Sequence, residues 1–274
     1  MAKVTSATPG TFCWAELCSS DWAVAKPFYT QLFSWQFDDQ PISRSADQPI
    51  GEDCYYTMLK KHQDDIAAMY QMMPDQVDAN ITSHWLAYIA VEDVDSKAVA
   101  AQTLGAQIIH GPHDVPGAGR MVMISDPGGA LVALWQAEEH SGSQRVLEFN
   151  VPYWHELTTR DVQASSEFYT QLLGWQAEQM PMGEITYTLF NIDGKPVAGL
   201  MPMTDEWGKD TPAHCMIYFA VESCDAMVEN TPHLGGQVCV PATDIEGIGR
   251  FAVLTDPSGA VFSIMESTSG DIEE

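Results

Sequence analysis

Two glutamates each lie in the middle of a run of apolar residues. Glu16 is part of FCWAELC, residues 12–18, and Glu156 is part of VPYWHEL, residues 151–157. A carboxylate in such a run is costly to bury without a partner, so its pKa is expected to rise. It can then act as a general base or accept a hydrogen bond from a ligand. The alternative is a structural carboxylate that pairs with a backbone amide or with an arginine across a domain interface, and its presence in both runs favours that role.

Aromatic and histidine residues accompany each glutamate. In an extended strand, Trp14, Glu16 and Cys18 share one face. Neighbouring strands would add side chains to that face and form walls for a flat or apolar ligand. The predicted ligand-binding residues are Trp14, Glu16, Tyr56, His84 and Tyr88 in one cleft and Trp154, Glu156, Tyr187, His214 and Tyr218 in another. The same aromatic residues could instead be ordinary core.

The two runs belong to a long internal duplication. Trp14 pairs with Trp154 at an offset of 140, and His84 pairs with His214 at an offset of 130. A period of this length is typical of two domains rather than of a solenoid. We predict a first domain over residues 11–137 and a second over residues 147–267, joined by a charged linker over residues 137–144.

Each domain shows the element order βαβββ twice. In the first domain we predict strands over residues 12–18, 35–38, 54–60, 66–72, 84–91, 106–110, 120–125 and 130–135. Ser20 or Asp21 caps the first helix, and Asp93 caps the second, which ends near Gly105. Residues 39–53, rich in Pro, Ser and Asp, are expected to form a loop, and residues 74–83 a polar connection.

Composition excludes several kinds of partner. Twelve basic residues against 38 acidic ones give a formal charge of −26, which repels phosphate backbones and anionic lipid, so neither nucleic acid nor membrane is an expected partner. The sequence has no apolar run of about 18 residues and no signal-peptide core, so we expect a cytoplasmic protein. Six cysteines without a CxxC pair predict neither a disulfide framework nor a structural zinc.

Motifs repeated in both copies resemble those of the vicinal oxygen chelate superfamily. They are Phe28-Tyr29, Ser34-Trp35 and Asp126-Pro-Gly-Gly129 in the first copy, and Phe168-Tyr169, Gly174-Trp175 and Asp256-Pro-Ser-Gly259 in the second. This superfamily includes glyoxalase I, extradiol dioxygenases and bleomycin resistance proteins. The resemblance, in particular to tandem two-domain glyoxalase-like proteins, implies an α+β fold. Each domain would have two βαβββ units whose curved mixed sheets surround a cleft, and the domains would pack as an internal pseudo-dimer within a monomer.

The same resemblance implies where metal ligands would lie in metal-dependent members. The corresponding positions hold Trp14, Leu86 and Ala133 in the first copy and Trp154, Met216 and Ser263 in the second. These are not donor sets for a divalent ion, so we predict no metal cofactor in either cleft. Glu16 with His84, or Glu156 with His214, would supply two donors without a third.

Two functions from different classes therefore remain. The first is a protein of glyoxalase or bleomycin resistance type that binds a small apolar or aromatic molecule in a metal-free cleft. The alternative is a metal-dependent lyase or isomerase of glyoxalase type acting on an α-oxo substrate, so whether the protein is an enzyme stays open. Arg120 and Arg250, which follow Gly-x-Gly, could hold a ligand carboxylate, but structural pairing is the favoured role.

Overall fold

The computed structural model describes residues 3–41, 55–270 and 272 and contains two mixed sheets of eight strands each. The first half contains β1 (Phe12–Ser19), α1 (Trp22–Leu32), β2 (Gln36–Pro41), β3 (Tyr55–Lys61), β4 (Asp64–Gln71), α2 (Pro74–Asp78), β5 (His84–Ala90), α3 (Val94–Thr103), β6 (Gln107–Val115), β7 (Gly119–Ser125) and β8 (Leu131–Ala137). The second half contains β9 (Pro152–Thr159), α4 (Val162–Leu173), β10 (Gln176–Met182), β11 (Ile185–Ile192), β12 (Lys195–Pro202), β13 (His214–Ala220), α5 (Cys224–His233), β14 (Gln237–Ile245), β15 (Gly249–Thr255) and β16 (Val261–Ser267). The prediction of four βαβββ units is confirmed.

Acidic and hydroxyl side chains begin the helices that the sequence predicts. The carboxylate of Asp21 accepts a hydrogen bond from the backbone N–H of Val24 at 3.3 Å, and Asp161 does the same for Ala164 at 3.0 Å. Asp93 caps α3 in this way. These bonds satisfy backbone donors that the first helical turn leaves without partners.

Each sheet joins two βαβββ units at its centre. The strand order of the first sheet is β2-β3-β4-β1-β5-β8-β7-β6, and that of the second is the equivalent β10-β11-β12-β9-β13-β16-β15-β14. The central strands β1 and β5 are antiparallel, while β1 is parallel to β4 and β5 is parallel to β8. The first strand of each unit therefore lies in the middle of a sheet, which is where Glu16 and Glu156 are found.

The two halves pack against each other through one face of each sheet and through the helices. The shared core contains Phe33 and Trp85 from the first half with Phe219 and Phe262 from the second. Ala15, on β1, belongs to this core. A separate apolar cluster, which contains Trp14 and Tyr88, covers the other face of the first sheet. Alternation along β1 thus divides its side chains between the core and a cleft.

Three sequence predictions about element bounds were wrong. β2 runs to Pro41, so residues 39–41 are strand and not loop; the rest of the expected loop, residues 42–53, and Cys54 lie outside the described residues. β6 continues to Val115 instead of ending at His110. Residues 74–78, expected to be a polar connection, form a short helix that begins at Pro74, where a proline lacks only an N–H that would have no helical partner.

Candidate functional site

Strand register brings four of the predicted residues together in the first half. Trp14 is opposite Tyr88, and Glu16 lies between Leu86 on β5 and Ala68 on β4. Because side chains two positions apart on a strand share a face, Trp14 and Glu16 point into the same cleft. Tyr56 reaches it from β3, two strands away.

These side chains line a cavity of about 540 Å³. Its walls are mostly aromatic and apolar: Trp14, Glu16, Gln40, Pro41, Tyr56, Met58, Tyr88, Val115, Pro116, Ala118, Met121, Trp135 and His140. Pockets for drug-sized ligands measure roughly 300–1,000 Å³ and are lined in the same way, with few polar groups. The cavity therefore has the size and chemistry of a small-molecule site.

Glu16 is the carboxyl group of this cavity. Its side chain is only 9% exposed and accepts a hydrogen bond from the Tyr88 hydroxyl. Burial raises the pKa of Glu16 to about 7, although the hydrogen bond from Tyr88 favours the charged form. At neutral pH the group can therefore accept a hydrogen bond as a carboxylate or give up a proton as an acid.

The linker between the halves brings His140 to the cavity. After His140 the linker is bound to β1, since the backbone N–H of Ser143 donates to the carbonyl oxygen of Cys13 at 2.7 Å. Gly142, with φ +105°, makes this approach possible, because a Cβ there would lie 2.3 Å from the same carbonyl oxygen. The His140 ring contacts Trp14 edge to face, with centroids 4.5 Å apart.

The surroundings of His140 favour the neutral form of its imidazole. Its Nε2 atom is buried and has no hydrogen-bond partner among the described residues. Burial lowers the pKa of His140. Sequence reasoning placed residue 140 in a linker and missed this contribution, because no local pattern indicates where a linker runs.

His84 and His214, in contrast, lie at the start of their strands, and His84 is not among the residues that line the cavity. His84 Nδ1 lies 2.8 Å from the carbonyl oxygen of Thr82, and His214 Nδ1 lies 3.0 Å from that of Pro212. The structure thus uses both imidazoles in local backbone contacts. It does not bring His84 into the wall that the sequence suggested.

The second half assembles the equivalent set with a different result. The Tyr218 hydroxyl donates to Glu156 at 2.9 Å, and the indole Nε1 of Trp154 donates to the Tyr187 hydroxyl at 3.1 Å. Burial raises the pKa of Glu156, against hydrogen bonds from Tyr187 and Tyr218 that favour its charged form. In this half the polar atoms bind one another.

The two arginines of the Gly-x-Gly segments have structural partners. Arg120 binds Asp95 at 2.9 Å and Asp114 at 2.6 Å. Arg250 repeats the arrangement with Asp225 and Asp244 at 2.9 and 2.7 Å. Each pair of carboxylates ties a helix and a strand to the arginine, so neither guanidinium belongs to a cleft.

Cys18 on β1 and His155 on β9 carry side chains that could be reactive, and their surroundings assign each a role. Burial raises the pKa of the Cys18 thiol to about 11, so the reactive thiolate is scarce at neutral pH. His155 is buried between the halves and stacks on Phe12 with centroids 4.1 Å apart. Burial lowers its pKa to about 3, so His155 is a neutral interface residue.

The residues at the implied metal positions do not fit a divalent ion. Across β1, β5 and β8 the first cleft presents Trp14, Leu86 and Ala133, which offer no oxygen or imidazole ligand. Within the described ranges, no group of three or more His, Cys, Asp or Glu side chains is placed to hold a metal. Glu16 alone would leave most of the coordination sphere to other ligands.

The two sheets and the aromatic cleft define a class of protein, and a comparison of the chain with sequence models of protein families identifies it. Residues 11–134 and 152–264 both match the sequence model of the Glyoxalase/Bleomycin resistance protein/Dioxygenase superfamily. The chain belongs to this superfamily.

Relatives of similar length share the whole tandem arrangement. The chain is 35% identical over 269 residues to a Mycobacterium tuberculosis (strain CDC 1551 / Oshkosh) protein named "Putative glyoxylase CFP32", covering 97% of this chain and 98% of the relative. It is 31% identical over 271 residues to the anthracycline biosynthesis protein DnrV of Streptomyces peucetius, covering 97% of each. Both alignments extend across the two halves.

Solved structures confirm the fold. The Mn(II)-bound glyoxalase from Novosphingobium aromaticivorans has a TM-score of 0.63 at 14% identity, with 100% of this chain and 85% of that one covered. The 2,3-dioxygenase LapB from Pseudomonas sp. KL28 has a TM-score of 0.63 at 13% identity, with 97% of each chain covered. At such identities the likeness concerns architecture and not chemistry. None of the helices in the described part of this chain has the length and hydropathy needed to cross a bilayer.

Proposed function

We propose that the first cleft binds a small, flat, largely apolar molecule that carries a hydrogen-bond donor or a cation, and that it does so without a metal. The observation that carries this proposal is the cavity of about 540 Å³, with Trp14, Tyr56, Tyr88 and Trp135 in its walls and the buried Glu16 among them. Aromatic faces stack on flat ligands, and one carboxyl group orients them.

A polar atom without a partner gives the cavity further recognition capacity. Nε2 of His140 is buried and has no hydrogen-bond partner in the described parts of the chain. Buried polar groups are normally paired, so such an atom on a lining residue is what a ligand would satisfy. Together with Glu16 it offers an imidazole nitrogen and a carboxyl group.

The name of one relative supports this choice of ligand class. The name of DnrV connects it with anthracycline biosynthesis, and anthracyclines are flat polycyclic aromatic molecules. The walls of the first cavity suit that chemistry. Daunorubicin, which combines an anthracycline ring system with an ammonium group, is therefore a suitable probe.

Calorimetric titration with daunorubicin tests the proposal, with the variant Tyr56→Ala and its neighbour Tyr55→Ala as a matched pair. Tyr56 lines the cavity, whereas Tyr55 stacks on Trp22 outside it. We expect binding to the wild-type protein and to Tyr55→Ala, and weakening of about tenfold or more in Tyr56→Ala, since loss of one stacking contact costs about 1.4 kcal/mol or more. Equal affinity in both variants, or no binding to the wild-type protein, would contradict the proposed site.

A second candidate is catalysis on an α-oxo substrate, as in a glyoxalase-type lyase or isomerase. Its support is the pKa of Glu16, which burial brings to about 7 and which suits a general base. Against a metal-dependent version stands the donor set, in which Trp14, Leu86 and Ala133 replace the implied ligands. Turnover of the methylglyoxal–glutathione adduct on addition of Mn²⁺, Ni²⁺ or Zn²⁺, and its loss in Glu16→Gln, would favour the enzyme over the binding protein.

A further inference from the structure

One difference between the two clefts is a pair of small residues. Ala68 lies beside Glu16 on β4, and Gly199 lies beside Glu156 on β12, at the equivalent position of the parallel strand pair. The facing strand then places Met58 opposite Ala68 and Leu189 opposite Gly199. Tyr56 and Tyr187, two residues earlier on those facing strands, are therefore equivalent, and the small residue near them carries one methyl group more in the first half than in the second.

Gly199 allows Tyr187 to lie where no other residue would permit it. A Cβ built on Gly199 would be 1.6 Å from the Tyr187 hydroxyl oxygen and 2.5 Å from Cζ of the same ring. The phenol thus rests directly on the glycine backbone. From there its hydroxyl accepts the hydrogen bond from Trp154 Nε1 at 3.1 Å, and its side chain also hydrogen-bonds Glu156.

This position leaves the polar atoms of the second cleft with partners. Glu156 is bound by both Tyr187 and Tyr218, and the Trp154 indole is bound by Tyr187. Tyr187 is only 7% exposed. A ligand would have to displace the phenol and replace its hydrogen bonds before it could reach the carboxyl group.

Ala68 holds the equivalent position in the first cleft, where its methyl group corresponds to the Cβ that would meet Tyr187 in the second. Tyr56 would meet that methyl group in the position that Tyr187 takes. Tyr56 is half-buried and lines the cavity of the first half. Tyr56 contacts Trp14 as Tyr187 contacts Trp154, but it reaches Glu16 only through the electrostatic field, whereas Tyr187 hydrogen-bonds Glu156.

We infer that Tyr187 closes the second cleft and that the chain has one ligand site, in the first half, with the Ala68 and Gly199 pair determining which cleft is open. His140 adds to the asymmetry, because the linker brings this imidazole to the wall of the first cleft. The inference deepens the proposed function and rests on it where ligand binding is concerned. The closed position of Tyr187 is a separate, ligand-free claim.

Stoichiometry of daunorubicin binding tests the first part. We expect one molecule per chain for the wild-type protein and two for Gly199→Ala, since the added methyl displaces Tyr187. Tyr187→Ala, which removes the phenol without straining the backbone, should also give two. Ala68→Gly should weaken binding about tenfold or more, because Tyr56 can then close the first cleft. Two sites in the wild-type protein, or one site in a folded Tyr187→Ala variant, would overturn the inference.

A ligand-free measurement separates this inference from the proposed function. In protein labelled with 3-fluorotyrosine, the ¹⁹F signal of Tyr187, assigned by its loss in Tyr187→Phe, should shift little between H₂O and D₂O, and the signal of Tyr56 should shift more. In Gly199→Ala the Tyr187 signal should become solvent-sensitive. If daunorubicin fails to bind but these shifts are seen, the proposed function fails and the closure stands; equal solvent sensitivity of the two wild-type signals would overturn the closure.

Discussion

The indole Nε1 of Trp35 donates a hydrogen bond to the carbonyl oxygen of Asn150 at 2.6 Å, across the boundary between the two halves. The equivalent bond runs in the opposite direction, from Trp175 Nε1 to the carbonyl oxygen of Gly10 at 2.8 Å. The two donor residues, Trp35 and Trp175, are 140 positions apart in the sequence, and so are the two acceptor residues, Gly10 and Asn150. The pair of bonds therefore reports an approximate twofold relation between the halves, as expected for an internal pseudo-dimer.

Replacing Trp35 or Trp175 by Phe should weaken the contact between the halves. Each change keeps an aromatic ring but leaves a carbonyl without its donor, which costs roughly 1–3 kcal/mol when the group is buried. Urea unfolding of each variant should show this loss of stability. The double variant should lose close to the sum of the two single losses. Trp22→Phe is the control, because Trp22 donates to Thr57 within the first half. A stability equal to that of the wild-type protein would show that the bonds contribute nothing.

Replacing Glu16 by Gln should weaken daunorubicin binding by roughly ten- to a hundredfold. The shape of the side chain is kept, while a charge-assisted hydrogen bond worth about 1.5–3 kcal/mol is lost. Affinity of the wild-type protein should also rise with pH through about 7, as Glu16 becomes charged, and Glu16→Gln should lack this rise. Calorimetric titration between pH 6 and 8 measures both effects.

Glu156→Gln is the matched control, since Glu156 is the counterpart of Glu16 and is bound by Tyr187 and Tyr218. We expect its affinity for daunorubicin to equal that of the wild-type protein. If Glu16→Gln lowers the thermal midpoint and leaves affinity unchanged, Glu16 is a structural carboxyl group and does not belong to the site.

The raised pKa of Glu16 should also appear in the pH dependence of stability. Between the ordinary value of 4.5 and the folded value of about 7, the folded protein holds a proton that the unfolded chain releases. Stability then falls as pH rises through this window, by at most roughly 3 kcal/mol from this group. Urea unfolding across pH 4.5–7.5 should give a shallower decline for Glu16→Gln, because the amide has no proton to lose. Identical slopes would place the folded pKa of Glu16 near its ordinary value.

Metal content provides a fourth prediction. Trp14, Leu86 and Ala133 in the first cleft and Trp154, Met216 and Ser263 in the second offer no set of strong donors, so the dialysed protein should contain less than stoichiometric Mn, Fe, Ni or Zn by elemental analysis. Daunorubicin affinity should be the same with and without a chelator. Stoichiometric metal that survives dialysis, together with binding lost to the chelator, would contradict the assignment.

The tandem fold could be read from the sequence because its signals are local and occur twice. Asp21 and Asp161 cap helices through side-chain bonds to backbone groups three residues away, a geometry that needs no tertiary partner. The alternation of Trp14, Ala15 and Glu16 specifies which side chains share a face. Family resemblance supplied the remaining step, from eight strands in each half to sheets around a cleft.

Some residues of the site could be located only in the folded structure. His140 reaches Trp14 only because the linker binds back along β1, and the path of a linker depends on contacts far away in sequence. His84 was expected in the wall and instead lies at the start of β5, since strand parity specifies the face of a side chain but not its depth along the cleft.

The sequence by itself determined the duplication, the four βαβββ units and which side chains share a strand face with Glu16 and Glu156, because each depends on residue identity and on spacing along one strand or helix. The replacement of the implied metal ligands followed from the family resemblance. Only the tertiary structure decided which cleft is open. Ala68 and Gly199 differ by one methyl group, and the effect of that group depends on the tyrosine of the neighbouring strand, which lies within 1.6 Å of the place where the methyl would be. Close packing makes so small a volume decisive.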